Sequence, residues 1–156
     1  MERNRKRARD SHTMMIDIVF PPDTNHLDTM FGGKVMAVVD RVANIAAMRH
    51  ARRPVVTVST DRFNFLCPIK TGEAIIVEAF VTWTGTTSLE VYTKVEAENL
   101  LTGERRLASH AHLTFVALDE NGNKVKVPQV IPETDEEIQQ YKEAQARYER
   151  RKNRRR

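Results

Sequence analysis

The chain has 156 residues, of which 40% are apolar and 29% are charged, a composition typical of one globular domain with a sizeable core. No apolar run approaches the roughly 18–20 residues of a membrane span, and the charged N-terminus lacks the apolar stretch of a secretory signal. The single cysteine, Cys67, excludes an internal disulfide and fits a reducing compartment, so we expect a cytoplasmic protein.

The formal net charge of +4 suggests a nucleic-acid-binding protein until the distribution of the charge is considered. Residues 1–12 hold five basic against two acidic side chains, and residues 133–156 hold eight against six. Residues 13–132 are therefore close to neutral, and the basic excess lies at the two chain ends. We expect a basic N-terminal tail over 1–12, one domain over 13–132, and a charged C-terminal helix with a basic tail over 133–156.

The first elements in chain order are a strand and a long helix. Met14 to Phe20 is a short apolar run that two prolines end, which predicts a strand. Lys34 to His50 contains no glycine or proline, and its apolar residues recur on one broad arc, which predicts an amphipathic helix. The arc comprises Val35, Met36, Val39, Val42, Ala43, Ala46 and Ala47.

The rest of the domain has the pattern of consecutive strands. Apolar and β-branched runs, separated by turn signals, predict strands at 55–65, 74–83, 87–97, 106–118 and 124–127. Strands joined by short turns form antiparallel sheets, so the sequence predicts a two-layer α+β domain in which the helix covers one face. Alternation within 87–97 predicts that Glu90 points away from the core. Thr134 and Glu137 have the spacing of a capping box, which predicts a C-terminal helix with a thin apolar stripe.

Asp40 is the residue of the long helix that suggests chemistry. It borders the apolar arc, where a carboxylate is partly desolvated and can act as a general base or as a nucleophile. An aspartate at the rim of the core, paired with an arginine or solvated, explains the same position without catalysis.

Two glycine-containing segments are further candidates. The polar loop 23–33 ends in Gly32-Gly33 at the helix start, where free backbone N–H groups suit an anion or an oxyanion. A tight entry into the helix accounts equally for these glycines. Gly85 interrupts the strand pattern, which indicates either a close approach of a ligand or a hairpin turn.

The histidines and the cysteine fit structural roles better than catalytic ones. His110 and His112 alternate on one strand face, but two histidines lack the third ligand of a catalytic zinc site, so no metal is expected. Cys67 is expected to be a small buried apolar residue and not a nucleophile. The sequence also lacks the phosphate-binding glycine loops and the nucleophile elbow of common enzyme families.

Taken together, the motifs of residues 13–132 resemble those of the hotdog-fold acyl-CoA thioesterases, in the branch of the bacterial and brain acyl-CoA hydrolases. Order and spacing across the whole domain carry this resemblance more than any single motif does. The matching segments are Asp23-Thr24-Asn25, Phe31-Gly32-Gly33-x-x-Met36-x-x-x-Asp40, Ala43, His50, Val56-Thr57-Val58, Asp61-x-Phe63-x-Phe65-x-x-Pro68, Gly72-Glu73, Gly85-x-Thr87-Ser88, Thr114-Phe115-Val116-Ala117-x-Asp119 and Val127-Pro128.

The resemblance implies a long central helix wrapped by an antiparallel sheet, and a dimer with active sites at the subunit interface, commonly assembled as a trimer of dimers. It implies hydrolysis of acyl-CoA to a fatty acid and coenzyme A without a cofactor. Asp40 would be the general base or nucleophile, Asn25 of the facing subunit would orient the reactants, and the backbone near Gly33 would polarise the carbonyl. Coenzyme A, as product and ligand, would contact Gly85, Thr87 and Ser88, with Arg52, Arg53 and Arg62 as phosphate partners.

Two other functions remain open at this point. A hotdog dehydratase generally relies on a catalytic histidine, whereas the matching helix position here is Asp40. Binding of nucleic acid or of an acidic partner through the basic ends is the third hypothesis, but no aromatic residue interleaves with the arginine run 150–156. We therefore expect neither a nucleic acid nor a membrane as the main partner.

Overall fold

One long helix lies against a five-stranded antiparallel sheet in the computed structural model, which describes residues 4–154. The sheet has the strand order β2-β4-β5-β6-β3, and a separate parallel pair joins β1 to β7. The elements are β1 (Arg5–Arg7), β2 (Thr13–Ile18), α1 (Gly32–Ala51), β3 (Val55–Phe65), β4 (Ala74–Thr84), β5 (Ser88–Glu98), β6 (Arg105–Ala117), β7 (Gln129–Ile131) and α2 (Asp135–Arg154). The predicted α+β class is confirmed. Within residues 4–154, no helix combines the length and hydrophobicity needed to cross a bilayer.

The core lies between α1 and the inner face of the sheet. Six of the seven residues of the predicted arc are buried there, and each fully buried valine contributes about 1.5–3 kcal/mol of transfer free energy. Met36, the seventh, was wrongly predicted to be buried: its side chain is 43% exposed. Val35 and Val39, on either side of it in sequence, are buried, so Met36 lies at the border of the arc, on a side of α1 that the sheet of this chain leaves open.

The outer face of the sheet is partly covered by α2. The predicted two-layer architecture therefore describes α1 and the sheet, and α2 adds a partial third layer. The predicted capping box forms: Glu137 N donates to Thr134 Oγ1, and Thr134 N donates to Glu137 Oε1. Glu90 points to this outer face as predicted, yet it is 1% exposed because Arg147 of α2 pairs with it. The thin stripe of α2 therefore docks through this ion pair as well as through apolar contacts, such as the Tyr148 ring 4.8 Å from the Trp83 ring.

The chain after β6 does not form the strand predicted at 124–127. The Asn121-Gly122 turn is present, but only Lys124 makes a bridge, to Leu118. Val127 N donates instead to Thr86 O, and the buried Val127 side chain joins the core. The strand that follows, β7, pairs with β1, which no local pattern signals.

The N-terminal segment is folded where a solvated tail was expected. Arg5–Arg7 form β1, and a 3-10 turn over Ala8–Ser11 buries both of its end residues. Ser11 Oγ accepts a hydrogen bond from Val81 N, and Lys6 Nζ donates to His50 O. Backbone pairing and the buried side chains of Ala8 and Ser11 attach this segment to the domain. The arginine side chains of the same segment remain exposed.

Candidate active site

Asp40 is held at the side of α1 by a residue of the edge strand. Thr57, on β3, donates its hydroxyl to Asp40 Oδ1 at 2.8 Å. Asp40 is half-buried, and within residues 4–154 its Oδ2 has no hydrogen-bond partner. One oxygen is thus fixed by Thr57 and the other is available to a water molecule or a substrate, as a general base or a nucleophile requires.

Asn25 is fixed by the loop that precedes α1. Its Oδ1 accepts hydrogen bonds from Leu27 N at 2.9 Å and from Thr29 N and Oγ1 at 3.3 and 3.1 Å. Its own backbone N–H donates to Thr29 O. Because the carbonyl oxygen is fully used, the Nδ2 amide is the group of this side chain that can donate to a ligand.

Among residues 4–154, the start of α1 leaves backbone amides without partners beside open space. The helix begins at Gly32, and no side chain of the described residues caps it. A Cβ at Gly32 would lie 3.0 Å from Phe65 Cζ, so close approach of β3 explains this glycine. A Cβ at Gly33 would meet nothing within 4 Å. The amides of this first turn, at the positive end of the helix dipole, can therefore receive an anion or a developing oxyanion.

The three catalytic candidates do not meet within one chain. Gly33 and Asp40 are on the same side of α1 but two turns apart, about 10 Å along the axis. Reacting atoms must approach to about 3–3.5 Å, so one carbonyl cannot use both groups of the same chain. The structure gives no contact between Asn25 and Asp40 either, among the residues described. The candidates therefore stay separate within one chain.

The predicted coenzyme A contacts separate into two sets. Thr87 and Ser88 line a groove of about 520 Å³ on the outer face of the sheet, together with residues of β3, β6 and α2. Gly85 is in the β4–β5 hairpin turn, where a Cβ would lie 2.7 Å from Ser88 Oγ and 3.2 Å from the Trp83 ring. Tight packing within the hairpin accounts for this glycine.

The three predicted phosphate-binding arginines are exposed and lie outside that groove. Arg52 ends α1 with a left-handed backbone, φ 53°, and Arg53 follows it. Arg62 occupies a bulge of β3 and is also left-handed, with φ 50°. None of them lines the groove of Thr87 and Ser88.

His112 of β6 contacts α2, whereas His110 lies beside the Tyr92 ring of β5. His112 Nε2 lies 2.8 Å from Gln140 Oε1 of α2, and burial there lowers the pKa of His112. Within the described part of the chain, no three His, Cys, Asp or Glu side chains are grouped as metal ligands. Cys67 is half-buried against the core, and its Sγ lies 3.4 Å from Leu107 O.

Sequence reasoning missed two features of this region. Thr57 was part of a matching segment, but only its tertiary contact with Asp40 indicates a role. The cations of α2 that line the groove, Arg151 and Lys152, were assigned to a tail. The charge run was visible in the sequence, whereas its place against the sheet was not.

The family model described as the thioesterase superfamily matches residues 27–104. This match starts two residues after Asn25, spans α1 and the strands β3, β4 and β5, and covers half of the chain. The chain belongs to the thioesterase superfamily. The resemblance stated above is thereby confirmed at the level of the family.

Curated relatives agree with this family. An uncharacterized acyl-CoA thioester hydrolase of Bacillus subtilis is 50% identical over 149 residues, which are 96% of this chain and 87% of that protein. The human cytosolic acyl coenzyme A thioester hydrolase is 34% identical over 140 residues, covering 88% of this chain but 37% of the human protein. The chain thus spans most of the bacterial relative and about a third of the human one.

Solved structures of thioesterases have the same fold. An apo-hexameric acyl-CoA thioesterase is 49% identical, with a TM-score of 0.94 over 97% of both chains. A Staphylococcus aureus acyl-CoA hydrolase, solved with butyryl coenzyme A, coenzyme A and coenzyme A disulfide, is 46% identical, with a TM-score of 0.91 over 97% of this chain and 92% of that one.

Three variants of the Staphylococcus aureus hydrolase concern the same constellation. They change an asparagine, an aspartate and a threonine to alanine, and these positions have the order and spacing of Asn25, Asp40 and Thr57. The three residue types thus recur together at matching intervals in a relative that binds coenzyme A in its crystal structure.

Proposed function

We propose that this protein hydrolyses acyl-CoA thioesters to a carboxylic acid and coenzyme A. The observation that carries the proposal is the Thr57–Asp40 hydrogen bond of 2.8 Å, which orients one carboxylate oxygen and leaves the other for the reaction. Asn25 adds a fixed side-chain amide, and the α1 start adds backbone donors beside open space. A thioester hydrolase needs such an activated oxygen and such donors.

The reaction would use these groups in one of two ways. Either Asp40 takes a proton from water, which attacks the carbonyl carbon, or Asp40 attacks it directly and water hydrolyses the resulting anhydride. In both routes the C–S bond breaks, and the thiolate of coenzyme A leaves and takes up a proton. The backbone N–H near Gly33 would stabilise the oxyanion, and the Asn25 amide would orient the thioester or the water.

The site would be assembled between two subunits. Because Gly33 and Asp40 of one chain are about 10 Å apart, we infer that Asn25 and the helix start of one subunit face Asp40 of the other. The edge strand β3 favours this pairing. One of its sides has no neighbouring strand within residues 4–154, and Val56, Val58 and Phe65 are 44–54% exposed on it. A trimer of such dimers would match the apo-hexameric relative.

The coenzyme A portion would extend from this interface over the sheet surface. Thr87 and Ser88 supply hydroxyl groups in the outer groove, beside the Gly85 hairpin. Arg52, Arg53 and Arg62 stay predicted phosphate partners, outside that groove. The cytoplasm is the proposed compartment, in keeping with the cytosolic human relative.

Activity measurements on three variants test the proposal. Asp40→Asn should lower kcat for acyl-CoA hydrolysis, read by thiol release, by about 10²–10⁴-fold without changing the fold. Thr57→Val, which leaves the carboxylate in place but unoriented, should have an intermediate effect. Asp17→Asn is the matched control, because Asp17 is exposed on β2, the edge strand at the opposite end of the sheet order from β3 and Thr57. Hydrolysis by Asp40→Asn at the wild-type rate would refute the assignment.

Mixing two inactive variants tests the shared site. In heterodimers of Asp40→Asn with Asn25→Ala, one composite site carries both changes and the other is intact. Random pairing makes half of the dimers heterodimers, so about a quarter of the wild-type activity should return after subunit exchange. No recovery, with exchange confirmed by differently tagged chains, would place both residues in one subunit's site.

A further inference from the structure

The loop before α1 rests on the connection between β3 and β4. Residues 68–73 of this connection, the bracing segment, pair with the loop through backbone and side-chain hydrogen bonds. Met30 N donates to Ile69 O at 2.8 Å. Thr71 donates twice to Asp28 O, from its backbone N at 3.0 Å and from its Oγ1 at 3.1 Å. The position of the loop is therefore set by the conformation of the bracing segment.

The contact between the two segments continues to Asn25. An antiparallel bridge pairs Lys70 of the bracing segment with Thr29 of the loop. Thr29 donates its N and its Oγ1 to Asn25 Oδ1, and Thr29 O accepts a hydrogen bond from Asn25 N. The residue that pairs with the bracing segment is thus the same one that orients the Asn25 side chain.

Arg106 of β6 closes the bracing segment into a turn. Its Nη1 and Nη2 donate to the two carboxylate oxygens of Glu73 at 2.9 and 2.8 Å, and its Nη2 also lies 3.3 Å from Pro68 O. Glu73 Oε1 accepts a further hydrogen bond from Lys70 N at 2.8 Å. Paired bonds between a guanidinium and a carboxylate are strong and directional, so this contact fixes the turn.

Two other anchors leave this function to Arg106. The Ile69 side chain is buried in the core, and Val19 exchanges backbone hydrogen bonds with the last two residues of the bracing segment. These contacts hold its middle and its end to the domain. Arg106 joins the first residue, Pro68, to the last, Glu73, and so determines how the segment meets the loop.

We propose that Arg106, through its ion pair with Glu73, is a positioning residue for Asn25. The role rests on the proposed function, in which the Asn25 amide orients the thioester or the water. Among residues 4–154, the hydrogen bonds of the Arg106 side chain go to Glu73 and Pro68 and not to Asn25, so its effect passes through the bracing segment. A displacement of about 1 Å in a catalytic group can cost about 100-fold in rate.

Steady-state kinetics on the full-length protein test this role. Arg106→Gln should lower kcat for acyl-CoA hydrolysis about 10- to 100-fold and change KM less than about twofold, because the displaced group acts on the reacting atoms. Arg106→Lys keeps the charge and should lose less. Arg105→Gln is the matched control and should keep the wild-type kcat, since the neighbouring Arg105 pairs with Glu98 at 2.9 Å, away from the bracing segment.

A double-mutant cycle separates positioning from lost stability. If Arg106 acts through Asn25, then Arg106→Gln should change kcat less than about threefold in an Asn25→Ala background, because the group that it positions is absent. A general loss of folded protein lowers kcat equally in both backgrounds. Equal losses of kcat with and without the Asn25 side chain would overturn the proposal.

Thr71 provides a second variant in case Arg106→Gln does not fold. Thr71 is exposed, and Thr71→Val removes the hydroxyl bond to Asp28 O. Loss of this one bond should lower kcat about 2- to 10-fold, and only while Asn25 is present. Thr71→Ser keeps the hydroxyl and should match the wild type. If Arg106→Gln is unfolded, a wild-type kcat in Thr71→Val overturns the proposal.

Amide hydrogen exchange tests the route of contacts without relying on activity. In Arg106→Gln the amides of residues 23–31 should exchange at least about tenfold faster than in the wild type, while those of the central strand β5 keep the wild-type rate. Unchanged exchange over 23–31, or an equal rise throughout the chain, would overturn the proposal. Faster exchange confined to 23–31, in a protein that hydrolyses no acyl-CoA, would refute the proposed function and leave Arg106 as the residue that positions Asn25.

Discussion

The buried pair between Glu90 and Arg147 gives a quantitative prediction for the attachment of α2. Changing Arg147 to methionine keeps much of the side-chain volume but removes both hydrogen bonds to a carboxylate that is 1% exposed. Within residues 4–154, the Glu90 carboxylate would then keep one hydrogen bond, which the Thr82 hydroxyl donates at 3.0 Å. Removing one partner of a buried ion pair costs about 3–5 kcal/mol, because the other charge stays desolvated.

This loss should be measurable as thermal and urea unfolding at one protein concentration. Each kcal/mol shifts the Tm of a domain of this length by about 2–4 °C, so Arg147→Met should lower Tm by about 6–20 °C. Adding Glu90→Leu to the same chain should recover most of the loss, since an apolar pair of similar volume is often equally stable in such a position. Thr82 would keep its second acceptor, the backbone carbonyl of residue 90.

Two results would refute this reasoning. A loss below about 1 kcal/mol in Arg147→Met would mean that the pair behaves as an exposed one. A double variant as unstable as the sum of the two single variants would mean that the charges are not coupled.

Three further predictions concern other contacts. Two hydrogen bonds from Arg106 lower the pKa of Glu73, so the pair stabilises the fold above the unfolded-state value of about 4.5 and this contribution is lost as the pH falls below it. Urea unfolding should accordingly find Arg106→Gln less stable than wild type near neutral pH, with a difference that shrinks in acid; a constant difference would contradict the role of Glu73. Gly33→Ala should leave the melting temperature unchanged or raise it, because the methyl group meets nothing within 4 Å, yet lower kcat/KM if the helix start receives the substrate; unchanged kinetics would exclude that position. Gly85→Ala should lower stability by about 1–3 kcal/mol in thermal unfolding, because its Cβ would lie 2.7 Å from Ser88 Oγ, and an unchanged melting temperature would show that the hairpin relaxes freely.

Local patterns predicted the elements that are stabilised by local rules. Val55–Phe65 has the predicted bounds of its strand, and the helix extends only a few residues beyond the predicted 34–50. The strand predicted at 124–127 did not form in full. Val125 N donates to Ala117 O of β6, as a hairpin requires, but Val127 N donates to Thr86 O in the β4–β5 turn, a partner that periodicity cannot identify. The prediction of a solvated N-terminal tail was wrong for the same reason, because β1 pairs with a strand more than 120 residues away in the sequence.

The residues of the candidate site also differ in whether the sequence alone could identify them. The family resemblance assigned catalytic roles to Asn25 and Asp40, because the residue types and intervals of its motifs match this sequence. Asp40 was also notable by itself, as a carboxylate that borders the apolar arc of the helix. Thr57 was not identified as a site residue, since its hydrogen bond to Asp40 exists only once β3 lies beside α1. The phosphate-binding roles predicted for Arg52, Arg53 and Arg62 followed from their charge once the resemblance implied coenzyme A, and the structure leaves those side chains exposed outside the groove.

The sequence by itself determined the α+β class, the long amphipathic helix and the carboxylate on its side, because periodicity and residue chemistry are local properties. It also showed that the +4 charge is concentrated at the chain ends. Only the tertiary structure decided what those ends do: residues 5–11 pack onto the domain, and α2 brings Arg151 and Lys152 to a groove of the sheet. Such placements depend on contacts between residues that are distant in the chain, above all the buried Glu90–Arg147 pair. Composition and local patterns do not specify which distant residues come into contact.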